Sequence, residues 1–286
     1  MRDSYELLLT SSCGRSLRIA PDAACRLVEG GLSGFDCTGF DVKLRAYADR
    51  AGGAVERRRF AERELSLTFS VDAGEAEAVR RQIVSLLDPT AEMTLAGHLG
   101  GERRLIDVIP CDEPEFSRPT FRHPMEVTLT FVAPGVFFRA AETSSVVFRD
   151  HVPLLTFPMN LWAGAGTAAG IMRVSNAARV ENPGDAPCGF RITMRAEGGS
   201  VTNPCVSSGS LYVKVPVTLA SGDTLTVDTA PGHKTVEING ERQFLFERDS
   251  VFFSLPSGES TVAVGCTAGI EYLGAQLSFV PLYFGM

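Results

Sequence analysis

The chain has 286 residues, of which 44% are hydrophobic, and a formal net charge of −7. Its length allows two hydrophobic cores, and its apolar content argues against a disordered chain. A nucleic-acid-binding protein normally carries a basic surplus, so the acidic balance argues against that class. The one local basic run, Arg57-Arg58-Arg59, is interpreted as the solvated end of a strand.

The sequence contains neither an N-terminal signal segment nor an apolar run of about 18 residues. We therefore expect a soluble protein that does not engage a membrane. Seven cysteines, an odd number without a C-x-x-C pair, are typical of a reducing compartment rather than of a disulfide framework. Cys13, Cys25 and Cys37 are expected to be small buried or half-buried apolar residues.

The first half of the chain opens with short strands and loops over residues 1–40, where glycine and proline interrupt the apolar runs. Val42 and Leu44 predict a further short strand, and Gly52-Gly53 marks a hairpin or loop tip. Strict alternation then predicts two half-buried strands. Their apolar members are Leu65, Leu67, Phe69 and Val71 in the first, and Met125, Val127, Leu129 and Phe131 in the second.

One helix is predicted between these strands, over about residues 73–88. Asp72, followed three residues later by Glu75, predicts a capping box at its start, and Pro89 should end it. The helix should pack an apolar stripe on the flanking sheet. That stripe comprises Val79, Ile83, Leu86 and Leu87.

Residues 89–124 look like a hairpin with short strands at 93–95 and 105–109. A domain boundary is placed near Ala141. Residues 1–141 are thus predicted to form a sandwich-like or barrel-like β domain with one helix, and residues 142–286 a second domain.

The second domain consists of short alternating segments separated by turns. Asn239-Gly240 fits a type I′ hairpin turn between the segments 236–238 and 244–246. At least six strands without a helical stretch predict an antiparallel β-sandwich. The alternating apolar positions are Phe190, Ile192, Met194, Leu211, Val213, Val215, Leu225, Val227, Val262, Val264, Leu277, Phe279 and Leu282.

Motifs for catalysis or cofactor binding do not stand out, and we expect no catalytic, metal-binding or cofactor-binding residues. The sequence has no G-x-S-x-G elbow, H-E-x-x-H motif or Walker loop. Residues 164–169 formally match a dinucleotide fingerprint, but without a βαβ unit they are interpreted as a surface loop. Asp223 and Asp228 flank a strand, where turn roles are favoured over a catalytic pair. In Val251-Phe252-Phe253, one outward Phe could meet another subunit.

These features together resemble the distal tail proteins of long-tailed, siphovirus-type bacteriophages, encoded by a phage or a prophage. The most specific part is a strand that follows Gly222-Asp223, succeeded by a segment with Phe252-Phe253. The resemblance covers almost the whole chain. It rests on residues 62–69, 86–89, 125–134, 180–185, 201–204, 221–229, 250–258 and 283–285.

The resemblance implies a mainly β protein with a galectin-like C-terminal sandwich. It implies a structural virion protein rather than an enzyme: a distal tail hub whose N-terminal domains form a ring, usually of six copies. The ring would join the tail tube protein to tail-tip or baseplate proteins, and genome DNA would pass through its channel without specific binding. Assembly would take place in the bacterial host cytoplasm. Residues 47–59 and 89–119 are the two candidates for the arm that contacts a neighbouring subunit.

Two other functions stay open. A carbohydrate-binding module for a cell-surface glycan would need an exposed aromatic platform beside carboxylates. The chain has one tryptophan, Trp162, and five tyrosines, and it lacks the histidine- and tryptophan-centred motif of true galectins. A hydrolase would need two carboxyl groups at glycosidase spacing in a cleft.

Overall fold

A computed structural model describes residues 5–99, 101–117, 124–153, 170–174 and 176–286, with only the backbone described at 149–153 and 170–174. The chain forms two compact units. The first contains residues 1–141 and 282–286, and the second contains residues 142–281. The predicted second domain therefore ends five residues too late, because the end of the chain pairs with a strand of the first unit.

The described part of the first unit contains twelve strands and one helix, α1 (Ala76–Leu86). The strands are β1 (Tyr5–Ser11), β2 (Ser16–Ile19), β3 (Cys25–Ser33), β4 (Phe40–Ala46), β5 (Gly53–Phe60), β6 (Arg63–Val71), β7 (Met93–Leu99), β8 (Arg104–Pro110), β9 (Glu115–Phe116), β10 (Met125–Ala133), β11 (Phe138–Ala140) and, from the end of the chain, β26 (Leu282–Tyr283).

Ten of these strands form one sheet in the order β26-β11-β8-β7-β1-β2-β3-β6-β10-β9. β8 also pairs with β10, through Phe131 opposite Pro110 and Val132 opposite Ile109. This pairing closes the seven strands from β8 to β10 into a barrel, which removes the exposed edges of that part of the sheet.

The barrel interior is filled by the alternating residues that the sequence predicts. In β6, Leu65, Leu67, Phe69 and Val71 are all fully buried. The neighbouring strand β10, which pairs with β6, buries its apolar members in the same way, from Met125 to Phe131. The prediction of a mainly β, barrel-like first domain with one helix is confirmed.

Helix α1 lies on this core through Val79, Ile83 and Leu86. The predicted capping box is wrong, because the helix starts at Ala76 and no side chain caps its first residue. Asp72 instead accepts two hydrogen bonds from the Arg26 guanidinium, at 3.0 and 2.9 Å. The helix also ends earlier than predicted, at Leu86.

The described part of the second unit contains fourteen strands and a short 3₁₀ helix (Ile270–Tyr272). The strands are β12 (Ser144–Val147), β13 (Arg149–Pro153), β14 (Gly170–Val174), β15 (Ala177–Asn182), β16 (Phe190–Ala196), β17 (Val201–Thr202), β18 (Cys205–Ser208), β19 (Leu211–Lys214), β20 (Thr218–Leu219), β21 (Thr224–Asp228), β22 (Thr235–Ile238), β23 (Glu241–Gln243), β24 (Gly258–Gly265) and β25 (Leu273–Phe279).

Two antiparallel sheets supply most of the core of this unit. One has six strands in the order β12-β25-β16-β21-β22-β23, and the other has four in the order β15-β24-β18-β19. Both bury alternate residues, such as Ile192 and Leu277 in the first and Val206 and Val262 in the second. The expectation of an antiparallel β fold is therefore confirmed.

The hairpin of β22 and β23 turns at Asn239 and Gly240, whose φ angles of 51° and 84° are both positive, as the predicted turn requires. β23 is shorter than predicted, because it ends at Gln243. Phe244 and Phe246 consequently lie outside the strand.

The cysteine predictions are partly wrong. Cys25 is buried, and burial raises the pKa of its thiol to about 11. Cys13 and Cys37 are exposed instead of covered, because both lie in loops between strands. All seven cysteines are free thiols.

Several predictions concern residues outside the described part of the chain. These include Trp162 and the fingerprint-like residues 164–169. Among the helices that are described, none is long and apolar enough to cross a membrane.

Candidate assembly interface

The hairpin of β4 and β5 forms a separate two-stranded sheet in the first unit. In β4, Phe40, Val42 and Leu44 alternate with charged residues, so the three apolar side chains share one face. Val55 of β5 lies opposite Leu44 and extends this face. We call these four residues, Phe40, Val42, Leu44 and Val55, the apolar face of the arm hairpin.

None of the residues in β4 and β5 is buried. The apolar face is markedly exposed: 68% for Phe40, 53% for Val42, 62% for Leu44 and 43% for Val55. An isolated two-stranded hairpin is only marginally stable in water. A hairpin of this length with an uncovered apolar face is therefore suited to contact with another chain.

The opposite face of the arm hairpin is charged and internally paired. Asp41 accepts hydrogen bonds from Arg59 at 2.7 Å and Arg57 at 2.8 Å. The Arg59 hydrogen bond, with Arg57 beside it, lowers the pKa of the Asp41 carboxyl. Lys43 and Glu56 form a further ion pair at 3.0 Å. Two arginines of the Arg57-Arg58-Arg59 run are thus engaged with an acid, which fits its interpretation as a solvated strand.

An aromatic cluster anchors the base of the arm hairpin. The Phe60 ring lies 5.8 Å from Phe40, 5.0 Å from Phe137 and 5.2 Å from Phe284 between ring centroids. The Ala61 amide donates to the Gly39 carbonyl at 2.8 Å, which holds the ends of the two strands together. The base is therefore fixed while both strands stay exposed.

The second candidate arm, residues 89–119, is placed differently. Its strands β7 and β8 belong to the barrel, and they bury Met93, Leu95, Ile106 and Val108 in the core. These side chains already have partners inside the first unit. The arm hairpin is consequently the better interface candidate of the two.

The carboxylates considered for catalysis have local structural partners. Asp223 accepts hydrogen bonds from the Ala220 amide at 2.8 Å and the Asn239 side-chain amide at 2.9 Å. These bonds, that of Asn239 first, lower the pKa of Asp223. Asp228 contacts Arg191 at 3.2 Å and the Ala230 amide at 2.9 Å. Both residues therefore have the turn and strand-end roles that the sequence favours.

A shallow polar groove of about 380 Å³ lies on the six-stranded sheet. Thr193, Arg195, Glu197 and Gln276 line it, together with the aliphatic side chain of Val147. Its lining supplies hydrogen-bonding groups without the aromatic platform that the carbohydrate hypothesis requires. Among the residues that the structure describes, no three His, Cys, Asp or Glu side chains are grouped as metal ligands.

Comparison with known proteins relates this β-rich architecture to phage tails. A family model for the siphovirus-type tail component, C-terminal domain, matches residues 183–275, within the second unit. The crystal structure of the Dit protein of phage SPP1, described as a paradigm of hub adsorption apparatus in phages that infect Gram-positive bacteria, has a TM-score of 0.68 at 13% identity. The match covers 96% of this chain and 98% of that chain.

A second solved structure, the phage P2 baseplate in its activated conformation with Ca, matches with a TM-score of 0.50 and 9% identity over 98% of both chains. Curated proteins gave no match. Because the sequence identities are low, these matches show similarity of fold alone.

The family match over residues 183–275 and the fold of the chain both relate this protein to structural components of phage tails. More particularly, residues 183–275 match the C-terminal domain of the siphovirus-type tail component, and the chain has the fold of the SPP1 Dit protein. The predicted resemblance to distal tail proteins is confirmed.

Proposed function

We propose that this protein is the distal tail hub of a siphovirus-type phage or prophage, and that its copies close into a ring, with six as the expected number. The ring would join the tail tube protein to tail-tip or baseplate proteins in the virion, after assembly in the host cytoplasm. This role requires neither a catalytic residue nor a cofactor. The exposed arm hairpin is the observation that carries the proposal.

Ring closure requires two different surfaces on each subunit, so that one surface of each copy meets the other surface of the next. The arm hairpin supplies one of them. Covering its apolar face would stabilise each contact by roughly 1 kcal/mol per side chain, since about half of each side chain is already covered. The charged face, with its own ion pairs, can remain in water.

Native mass spectrometry and negative-stain images of the purified protein test the proposal. We expect closed rings with a central channel at high protein concentration. A strictly monomeric protein that also fails to close into rings on isolated tail tubes would contradict it.

A point variant tests the arm hairpin itself. Leu44→Asp places a carboxylate on the apolar face opposite Val55, and burying an unpaired charge at each contact should abolish the ring. The matched control is Val84→Asp in α1, where the side chain is 59% exposed, and it should leave the ring intact. Equal ring formation by both variants would remove the arm hairpin from the interface.

The carbohydrate-binding alternative remains a separate hypothesis. The polar groove at Thr193, Arg195 and Glu197 would supply hydrogen-bonding groups to a sugar, but its lining has no aromatic platform. A glycan array without a specific signal would dismiss it, whatever the oligomeric state.

A further inference from the structure

The second unit carries an exposed apolar patch directly after β23. Phe244 is 94% exposed, Leu245 43%, Phe246 45% and Val251 48%. We call Phe244, Phe246 and Phe252, which lie around one groove, the phenylalanine patch. An exposed aromatic cluster of this kind is unusual on a soluble protein surface and is typical of binding sites.

The phenylalanine patch borders a groove of about 270 Å³. Phe244, Phe246 and Phe252 line its apolar side, and the rings of Phe246 and Phe252 pack edge to face with centroids 5.7 Å apart. The groove can therefore receive an apolar side chain between aromatic rings.

The groove lies beside a sheet edge. β23 is the last strand of the six-stranded sheet, and within the described residues it pairs only with β22. The two-residue turn makes Ile238 and Glu241 a hydrogen-bonded pair, so the backbone N–H and C=O of Arg242 point to the other side. An extended segment can bond to these groups as an added strand.

The charges on the groove select the kind of segment. Lys234 and Arg242 line it, and both are basic, in a chain whose net charge is −7. Arg242 also forms an ion pair with Glu237 of β22, whose Oε1 is 3.7 Å from the Arg242 Nε. This separation is too long for a hydrogen bond, so the guanidinium can still donate to another carboxylate. The groove is thus complementary to carboxylates on an incoming segment.

A second copy of this chain fits the edge poorly. Antiparallel pairing of two β23 strands about a two-fold axis would bring the Arg242 side chains of both copies together. Like charges in a cross-strand pair are destabilising. The edge therefore favours a different protein over a second copy.

We propose that the β23 edge and the phenylalanine patch bind an extended, acidic segment of another tail protein. The segment adds a strand to β23, inserts an apolar side chain beside Phe244 and Phe246, and directs carboxylates to Lys234 and Arg242. The proposal gives the proposed hub a docking site for a partner. It concerns the second unit only, so it does not depend on ring formation by the arm hairpin.

The test is a titration of the protein with a capped synthetic peptide, Glu-Val-Glu-Phe-Glu-Val. Isothermal titration calorimetry at low salt measures the binding. We expect saturable binding that weakens about tenfold or more in Phe244→Ser. Val147→Ser is the matched control, because Val147 is 56% exposed on β12, the opposite edge strand of the same sheet. It should bind the peptide as the wild type does.

Two altered peptides separate the contributions. Replacing every Glu by Lys should weaken binding about tenfold or more, because the groove is basic. N-methylation of the peptide backbone at Phe should do the same, because it blocks strand addition. Absence of binding by the acidic peptide, or equal binding by either altered peptide or by Phe244→Ser, would overturn the proposal.

Analytical ultracentrifugation of the wild type and Phe244→Ser tests whether the groove binds a second copy of this chain instead of another protein. We expect identical masses for the two proteins. A lower mass for Phe244→Ser would mean that the phenylalanine patch joins copies of this chain, which would also overturn the proposal. Ring formation is judged from Leu44→Asp, so the two proposals can fail separately.

Discussion

Arg63 is a charged side chain in the first unit that is only 1% exposed. Its guanidinium donates to three backbone carbonyls: those of Val136 and Gly34, both at 2.7 Å, and that of Phe284. It also lies over the Phe138 ring, with Cζ 4.8 Å from the centroid. Burial lowers the pKa of the guanidinium, yet an arginine starts high enough to stay charged. One side chain thus connects three separate segments of the unit.

Replacing this residue tests how much the connection contributes to stability. Arg63→Met retains much of the volume but removes all three charge-assisted hydrogen bonds, so we expect a loss of about 2–4 kcal/mol in the free energy of unfolding. The control is Arg81→Met, whose side chain is 80% exposed and contacts Glu77. That change should stay within about 0.5 kcal/mol. Urea denaturation measures both, and equal midpoints would contradict the structural role of Arg63.

The turn before β21 depends on a small polar network. The Asp223 carboxylate accepts hydrogen bonds from the Ala220 amide and from the Asn239 side-chain amide. The Asn239 side-chain oxygen in turn accepts a hydrogen bond from the Thr224 amide at 2.9 Å. Gly222 has a φ of 98°, a conformation that favours glycine. The network links this turn to the β22–β23 hairpin.

The pH dependence of stability should report this network. The pKa of Asp223 is lowered in the folded protein. The stability that its ionised carboxylate contributes is therefore fully present above the pKa of the unfolded chain, about 3.9. It is lost as the pH falls through the lower folded value. The difference in melting temperature between wild type and Asp223→Ala should therefore narrow between pH 6 and pH 2.5. Asp249→Ala controls for removing an exposed carboxylate, and a constant difference for Asp223→Ala would contradict the assignment.

Alternating apolar and polar residues predicted the strands of this protein well. They could not predict what covers the apolar face of each strand. β4 and β6 show the same alternation. Leu65 and Leu67 in β6 are fully buried, whereas Val42 and Leu44 in β4 are more than half exposed. Alternation describes one strand, and its partner is decided by distant parts of the fold or by another chain.

The wrong helix cap has a related cause. Asp72 and Glu75 match the capping pattern locally, but Arg26 lies within reach of Asp72 and binds its carboxylate with two hydrogen bonds. Arg26 is 46 residues away in sequence. The same limit applies to the phenylalanine patch, because Phe244 and Phe246 continue the alternation of a strand that stops at Gln243.

At the scale of the whole molecule, the end of the chain belongs to the unit that begins it. β26 pairs with β11, through Tyr283 opposite Phe138. Arg104 donates to the Gly285 carbonyl and lies over the Tyr283 ring at 3.7 Å. In the sequence, Leu282 follows the strands of the second domain closely and is therefore assigned to them. Local patterns do not indicate that the chain returns to the first unit. The first unit is therefore complete only when the last residues of the chain are in place.

Gly285 provides a point test of this return. A Cβ at this position would lie 2.1 Å from the Asp36 carbonyl oxygen, a backbone atom that cannot move aside. Gly285→Ala should therefore displace the chain end and destabilise the first unit by about 1–3 kcal/mol. Gly135→Ala is the matched control, because its added Cβ meets nothing within 4 Å.

Hydrogen exchange with mass spectrometry locates the effect. In Gly285→Ala, we expect faster exchange at Phe138–Ala140 and at Met286, whose amide donates to the Phe35 carbonyl at 2.9 Å. Exchange in β16 and β21 of the second unit should not change, because the displaced contacts all lie in the first unit. Faster exchange confined to the second unit, or none anywhere, would show that the first barrel holds its structure without the end of the chain.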